Sequence, residues 1–126
     1  MTTADGSRVG SAELGEMGER IARLWLMARG VKVLFRNFRA PHGGEVDIVA
    51  REGKQLLFTE VKTRTSTDYG RPYEAVDRKK QKLIRRGANE WLRLLGTRDI
   101  PWRYDVIEVI LIDGEKPKVN RVEDLF

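Results

Sequence analysis

The order of helix-like and strand-like apolar patterns constrains the fold of this chain more than any other feature. A helical pattern that begins near Ser11 is followed by three strand-like runs, a second helical pattern and one or two further strands. The helical patterns carry apolar stripes, and the strand-like runs are rich in β-branched and aromatic residues. Because every apolar face must be covered, the simplest arrangement is an α/β fold in which one mixed, twisted β-sheet is flanked by two α-helices.

The first helix is predicted to run from Ser11, as its N-cap, to Gly30, which ends it. Its apolar residues form two lines. The first line comprises Leu14, Met17, Ile21, Leu24, Trp25 and Ala28. A second line comprises Gly18, Ala22 and Leu26, so the helix is expected to pack on the sheet with one side and on another element beside it.

Capping and turn residues set the remaining boundaries. Strands are predicted at residues 31–38, 45–50, 55–62 and 102–112, with a last one near 118–122. The second helix is predicted to start after Asp77, whose side chain can cap it, and to end at Gly96. The polar residues 63–73 include Gly70 and Pro72 and are predicted to form a flexible loop.

The length and the lack of cysteine limit the class of protein. A chain of 126 residues, 40% of them hydrophobic, is expected to form one compact domain over residues 11–126 after a mobile polar tail at 1–10. With no cysteine, the sequence excludes disulfide scaffolds, Cys-based zinc sites and thiol nucleophiles. Neither a secretory signal nor a membrane-spanning segment is recognisable, so a cytoplasmic protein with no membrane partner is expected.

The charge balance indicates an anionic partner. Lysine and arginine total 24 against 19 acids, which gives a net charge of +5. Nucleic acid and acidic lipid are both partners of this kind, and net charge by itself does not choose between them. A single histidine and the absence of a nucleophile-elbow serine argue against His-dependent and serine hydrolases.

Charged residues also lie inside two neighbouring apolar strands. Glu60 and Lys62 are predicted to share one face of the third strand while Val61 points to the other, and Glu45 and Asp47 are predicted to share a face of the second. If these strands pair, a carboxylate from each meets at one point beside an ammonium group. A cross-strand set of surface salt bridges is the alternative, but charges on core strands are costly unless they pair or bind a ligand.

Such a pair of carboxylates suits a hard divalent cation, because Mg²⁺ prefers oxygen ligands and takes one or two carboxylates along with water. A charged lysine cannot be a ligand. The place of Lys62 would therefore be near the attacking water or a phosphate, where it can orient the nucleophile and offset negative charge.

Two resemblances follow from these residues. Asp47 followed by Glu60-Val61-Lys62 resembles the PD-(D/E)xK signature of restriction-endonuclease-like nucleases, with a spacing similar to that of archaeal Holliday junction resolvases. A longer set, spread from Leu14 to Phe126, resembles the bacterial YraN-like family in order and spacing. That set includes Gly18-Glu19, Ala22, Leu26, Gly30, Arg36-Asn37, Gly44-Glu45-Val46-Asp47, Glu60-Val61-Lys62-Thr63-Arg64, Lys80, Ala88, Trp91-Leu92 and Arg103-Tyr104-Asp105-Val106.

The resemblance implies a nuclease-like fold and roles for individual residues. Asp47 and Glu60 correspond to metal-binding carboxylates for Mg²⁺ or Mn²⁺, the carbonyl of Val61 to a further ligand, and Lys62 to the catalytic lysine. The substrate it implies is DNA, including branched DNA. The chain has no proline before Asp47, which departs from the literal name of the motif.

Two further acids have open roles. Glu19 matches the first-helix glutamate that the resolvase branch brings to its metal site, although by periodicity it is equally compatible with an ordinary exposed acid, and Glu16 is the fallback. Glu45 is a supporting acid behind the ligands, a third ligand or a member of an edge salt bridge.

Basic residues crowd the start of the second helix with few acids among them. The predicted phosphate contacts are Arg64, Lys79, Lys80, Lys82, Arg85 and Arg86, and Arg71 and Arg78 lie near them. The run follows the loop that leaves the acidic pair, so a nucleic-acid chain could cross both. A solvated charged face is the alternative. Tyr69 and Tyr73 either stack on bases or fix the loop to the sheet.

Three functions are compatible with this sequence. The first is a metal-dependent endonuclease, and the second is a nucleic-acid-binding module of the same fold that does not cut. The third is a structural or interaction protein whose acids form only salt bridges. A homodimer is expected for a nuclease, because a domain of this size covers the scissile site of only one strand.

Overall fold

The computed structural model describes residues 2, 7–65 and 76–126. Its elements are α1 (Ser11–Ala28), β1 (Lys32–Arg39), β2 (Glu45–Glu52), β3 (Gln55–Arg64), α2 (Arg78–Leu95), β4 (Trp102–Ile110) and β5 (Lys118–Val122). The predicted α/β architecture with one mixed sheet and two helices is confirmed. Half of the predicted tail and most of the predicted loop, including Arg71, Tyr69 and Tyr73, lie outside the described residues.

The five strands lie in the sheet in the order in which they occur in the chain. β3 and β4 are parallel, and the other three pairs are antiparallel. Since two parallel strands need a crossover, the chain returns through α2 between them. The site described below lies towards the carboxyl end of β3, beside the start of α2.

Two apolar clusters cover the two faces of the sheet. The α1-side core comprises Ala22, Leu26, Val31, Ile48, Ala50, Leu57, Val61, Ile107, Val109 and Leu111. The α2-side core comprises Phe38, Val46, Val49, Leu56, Phe58, Val76, Ile84, Ala88, Leu92 and Val106. The helices therefore pack on opposite faces, as the two apolar stripes predict.

The first helix differs from its prediction in two ways. Its N-cap is Gly10, with no side-chain cap, so Ser11 is the first helical residue and not the cap. The line of Gly18, Ala22 and Leu26 is the buried one, whereas Leu24 is 56% exposed. The reason is close approach: a Cβ on Gly18 would lie 1.9 Å from Oγ1 of Thr63 on β3. In the described part of the chain, no helix is long and apolar enough to cross a membrane.

The second helix begins and ends as predicted. The side chain of Asp77 accepts a hydrogen bond from the backbone N–H of Lys80 at 2.8 Å, and Gly96 ends the helix with a left-handed φ of 82°. Its middle touches the sheet directly, because a Cβ on Gly44 would lie 2.4 Å from the backbone nitrogen of Gly87. This contact holds α2 against the start of β2.

The side-chain alternation of β2 is interrupted at Asp47. Val46 belongs to the α2-side core and Ile48 to the α1-side core, although residues two apart share a face in a regular strand. On β1, Asn37 has a φ of 54° and lies between Arg36, which pairs with Ile48, and Phe38, which pairs with Val46. The backbone irregularity of Asn37 therefore lies opposite Asp47.

Charged residues in the first half of β4 make structural contacts. Asp105 is fully buried and accepts hydrogen bonds from Nε of Arg103 and from the backbone N–H of Asp124, each at 2.9 Å. The ring of Phe126 stacks on Tyr104 with centroids 4.9 Å apart. These contacts fasten the last residues of the chain to β4.

The glycine contact of α2 leads to a stability prediction. We expect Gly87→Ala to lower the free energy of unfolding by about 1–3 kcal/mol, as overpacked sites do. The added Cβ would lie 2.8 Å from Cγ2 of Val46 and 3.0 Å from the backbone of Glu45. Urea unfolding followed by tryptophan fluorescence measures the change.

Gly15→Ala is the matched control, because a Cβ at that position of α1 meets nothing within 4 Å. We expect it to raise the free energy of unfolding by about 0.5–1 kcal/mol, since alanine loses less backbone entropy in a helix. Equal effects of the two substitutions would contradict the close contact at Gly87.

Candidate functional site

Asp47 and Glu60 meet where β2 and β3 separate. The ladder between these strands ends at the pair Ile48 and Thr59, one residue before both acids. Oδ2 of Asp47 accepts a hydrogen bond from the backbone N–H of Val61 at 2.9 Å, which places its carboxylate against β3 beside Glu60. The structure thus brings the two carboxylates of the sequence motif to one place.

Glu60 is a buried acid with one unsatisfied oxygen. It is 3% exposed, and its Oε2 receives no hydrogen bond in the described part of the chain. Burial, followed by the charge of Asp47, raises the pKa of Glu60 from 4.5 to about 8, while the charges of Lys80 and Lys62 act against this rise. The Glu60 carboxyl therefore holds its proton more tightly than an exposed glutamate does, and positive charge beside it favours release of that proton.

Lys62 lies beside this acid as the alternation of β3 requires. Its Nζ is 3.8 Å from Oε1 of Glu60, and its side chain is partly exposed. Val61 points the opposite way, into the α1-side core. The predicted grouping of Glu60 with Lys62 on one face is therefore present in the structure.

Lys80 enters the site from the first turn of α2. Its ammonium donates a hydrogen bond to Oε1 of Glu45 and lies 3.7 Å from Oε1 of Glu60. Burial lowers the pKa of Lys80, but the hydrogen bond to Glu45 and the nearby acidic charges outweigh this effect and raise it. Lys80, predicted to contact a phosphate, thus points at the acids.

Glu45 forms the salt bridge that was one of its three predicted roles. Its Oε2 also accepts a hydrogen bond from Arg39 at 2.8 Å. The hydrogen bond from Lys80, the largest influence, and the charges of Lys80 and Arg39 lower the pKa of Glu45 despite partial burial. In this arrangement Glu45 binds Lys80, and its roles as a supporting acid or as a third ligand stay predictions.

Glu19 reaches only the edge of the site. It is half-buried, and burial followed by the charge of Asp47 raises its pKa. Together with Val61 it lines a cavity of about 290 Å³ between α1 and β3. Among the described residues, no three His, Asp or Glu side chains are grouped closely enough to hold a metal, so Glu19 is near Asp47 without joining the pair. Glu16, the fallback, is exposed.

The predicted phosphate contacts have different surroundings in the structure. Lys79 is exposed and lines a groove of about 250 Å³ that it shares with Lys62 and Lys80. Lys82 and Arg86 are also exposed on α2. Of these three exposed bases, Lys79 is the one that lines the groove with Lys62 and Lys80.

Two of the predicted contacts are engaged elsewhere. The guanidinium of Arg85 lies over the rings of Phe126 and Tyr104, at 5.3 and 5.7 Å from their centroids. Nε of Arg64 lies 3.7 Å from Oε2 of Glu108. Arg64 and Arg85 therefore face acidic and aromatic groups of the protein in this structure, whereas the sequence pattern predicts that both contact phosphates.

Sequence reasoning missed two residues near the site. Glu108 is directly opposite Lys62 in the parallel ladder, is 1% exposed, and receives no hydrogen bond on either oxygen in the described part of the chain. The sequence feature that could have indicated Glu108 is its position as a single acid inside the apolar run 106–112. Asn37 is the other, and its left-handed backbone leaves no mark in the sequence beyond the residue type.

Comparison with known proteins gives a family match over most of the chain. Residues 18–109 match the model described as Uncharacterised protein family UPF0102. A UPF0102 protein of Geobacter sulfurreducens is 42% identical over 113 residues, which cover 90% of this chain and 88% of that protein. One from Trichlorobacter lovleyi is 41% identical over 118 residues, covering 93% and 92%. One from Rhodococcus jostii is 42% identical over 113 residues, covering 90% and 95%.

The burial of Glu60 predicts a pH dependence of stability, to be measured in EDTA. The folded-state pKa, about 8, lies above the ordinary value of 4.5, so the folded protein binds this proton more tightly than the unfolded chain. Wild-type stability should therefore fall as the pH rises from 4.5 through 8. Glu60→Gln removes this loss and should be more stable than wild type at pH 8, by an amount on the order of a few kcal/mol.

Denaturant titrations at several pH values measure this difference. Glu13→Gln is the control, because it removes an exposed acid of α1. The same pH trend for both variants would contradict the assignment to Glu60.

Proposed function

The chain belongs to the UPF0102 family, and we propose that it is a metal-dependent nuclease that hydrolyses phosphodiester bonds in DNA. One observation carries this proposal. Asp47 and Glu60 converge at the point where β2 and β3 separate, with the ammonium of Lys62 3.8 Å from Glu60. An acidic pair with a lysine beside it, on two adjacent strands, is the arrangement that the PD-(D/E)xK resemblance implies.

The architecture supports placement in the restriction-endonuclease-like superfamily. A five-stranded mixed sheet lies between two helices, and the acidic pair sits on neighbouring strands of that sheet. The family match spans Glu19, Asp47, Glu60, Lys62 and Lys80 in one segment. The superfamily placement remains part of this proposal, since it rests on the motif and the order of elements.

The residues present fit a hard divalent cation. The ligands would be the carboxylates of Asp47 and Glu60 and the carbonyl of Val61. The buried Oε2 of Glu60 supports this, because no described residue donates to it and, once the carboxyl loses its proton, a buried oxygen without a donor is costly and calls for a partner. Mg²⁺ needs only one or two carboxylates since it keeps several waters, so the lack of a third acid is compatible with it. When bound, Mg²⁺ or Mn²⁺ would supply Lewis-acid activation of the phosphate and of a water molecule.

The chain's own side chains then divide the remaining work. Lys62 is partly exposed at the mouth of the pair, where its ammonium orients the attacking water and offsets the negative charge that develops on the phosphate. Glu19 adds negative charge near Asp47 from α1. Lys79 lies in the same groove as Lys62 and holds a neighbouring phosphate.

The proposed substrate is DNA, with branched DNA included. Lys79, Lys82 and Arg86 are exposed bases on α2 that can neutralise phosphates, and such contacts carry no sequence information. A homodimer stays a prediction from the size of the chain.

A second candidate function is a nucleic-acid-binding module that does not cut. The observation that favours it is Lys80, whose ammonium already offsets the charge of Glu45 and Glu60. The two candidates differ in their response to metal. A nuclease site should be stabilised by Mg²⁺ with a rise in melting temperature that Asp47→Ala abolishes, whereas a module without a metal site should show no rise.

Cleavage assays test the nuclease directly. Linear, flapped and four-way DNA are incubated with the protein in Mg²⁺ or Mn²⁺. We expect Asp47→Asn and Lys62→Ala to lower the cleavage rate by about 10²–10³-fold or more, because each removes charge stabilisation at the reacting phosphate.

Lys54→Ala is the matched control, since Lys54 is an exposed lysine in the turn between β2 and β3. It should cut like wild type. Cleavage by Lys62→Ala at the rate of the Lys54→Ala variant would refute the proposed site.

Salt dependence tests the phosphate contacts on α2. Lys79→Ala should reduce the slope of log K against log salt by about 0.9, the value for one phosphate contact. Arg85→Ala removes the same charge from a side chain that lies over aromatic rings, and should leave the slope nearly unchanged. Fluorescence anisotropy with labelled DNA in EDTA measures both, and equal slopes for the two variants would contradict this division.

A further inference from the structure

We propose that the ammonium of Lys80 is a built-in counterion that competes with a divalent cation for Glu60. In this role it lowers the affinity of the site for metal and keeps the acids assembled when no metal is bound. The inference rests on the proposed function, because it presupposes that Asp47 and Glu60 hold the cation.

Lys80 is less exposed than the neighbouring lysines of α2. Lys79 and Lys82 are exposed. The side chain of Lys80 is only 24% exposed, and its ammonium faces Glu45 and Glu60. Two contacts fix this orientation. The cap formed by Asp77 holds the backbone N–H of Lys80, and the touching backbones of Gly44 and Gly87 hold α2 over the start of β2, where Glu45 lies.

The two contacts of the ammonium are unequal. It makes a close hydrogen bond to Oε1 of Glu45, but it approaches Oε1 of Glu60 only to 3.7 Å, beyond hydrogen-bond distance. Arg39 occupies the other oxygen of Glu45. Glu45 is therefore the anchor of Lys80, and the contact with Glu60 is the one that can be given up.

A cation on Glu60 and the ammonium of Lys80 would share one carboxylate. Like charges a few ångströms apart repel strongly in a partly buried site, where water screens them poorly. Binding therefore requires the ammonium to withdraw towards Glu45, and its repulsion weakens the complex. Glu45 prevents the lysine from leaving the site, so the competitor returns when the cation dissociates.

This role differs from phosphate binding, which the run of basic residues predicts for Lys80. Its ammonium faces acidic side chains on β2 and β3. Lys79, the preceding residue, is exposed in the groove with Lys62 and supplies the phosphate contact instead. In this proposal, Lys79 therefore binds phosphate and Lys80 binds the acidic side chains.

The test compares Lys80→Met with wild type in Mn²⁺ binding and in thermal stability. Methionine keeps an apolar stem of similar length and removes the charge. Calorimetric titration of Mn²⁺ at one pH should show binding about tenfold tighter in Lys80→Met. The variant should also melt at a lower temperature than wild type in EDTA, and Mn²⁺ should raise its melting temperature by more than it raises that of wild type.

Two controls separate this effect from general loss of charge or of packing. Lys54→Met removes an exposed lysine from the turn between β2 and β3 and should match wild type in all three measurements. Lys80→Gln keeps a donor for Glu45, and should bind Mn²⁺ more tightly even if Lys80→Met folds poorly.

The outcomes distinguish the two proposals. Equal or weaker Mn²⁺ binding by both Lys80 variants, with the melting temperature lowered equally in EDTA and in Mn²⁺, would show a merely structural lysine and overturn the inference while the metal site stands. No Mn²⁺ binding by wild type or by any variant would overturn the proposed function, and the inference with it. Binding by Lys80→Met where wild type shows none would support both.

Discussion

The site depends on the point at which β2 stops pairing with β3. Below this point the two strands exchange backbone hydrogen bonds up to Ile48 and Thr59. Above it, the N–H of Val61 donates to the Asp47 carboxylate instead. A buried backbone donor must find an acceptor, so the side chain of Asp47 continues the ladder by one step. The same bond that satisfies the sheet therefore carries an acid to the side of Glu60.

Both helices reach this point through glycine. Gly18 lets α1 touch Thr63, three residues beyond Glu60, and Gly87 lets α2 touch the backbone of β2 beside Glu45. Larger side chains would push either helix away from the sheet. Because their helices lie this close, Glu19 comes near Asp47 and Lys80 contacts Glu60.

Much of the fold could be predicted from the sequence because its signals are local. Asp77 and Gly96 bound α2 in the structure as they do in the sequence, since a capping side chain and a left-handed glycine act within one turn. The grouping of Glu60 with Lys62 follows from strand alternation alone. The family is also recognisable from residues spread along the chain, and the comparisons confirm it.

The sequence signals do not predict features that depend on contacts between distant segments. Which apolar line of α1 is buried depends on the approach of Gly18 to Thr63, and the inward lysine of α2, Lys80, is the one that contacts Glu45 on β2. The interruption at Asp47 involves Asn37 on another strand. Glu108 is buried on a strand that lies inside the sheet, between β3 and β5. Periodicity describes one segment at a time, so it contains none of these contacts.

The backbone contact between Gly44 and Gly87 also limits the distance between α2 and β2. With no side chain between them, the helix and the strand lie at their closest approach and cannot come nearer without a clash. A phosphate bound by Lys79 on the helix would then lie within a limited distance of the acids on the strand. In the proposed function, the position of that phosphate relative to the reacting bond would therefore depend on a main-chain contact as well as on the lysine side chain.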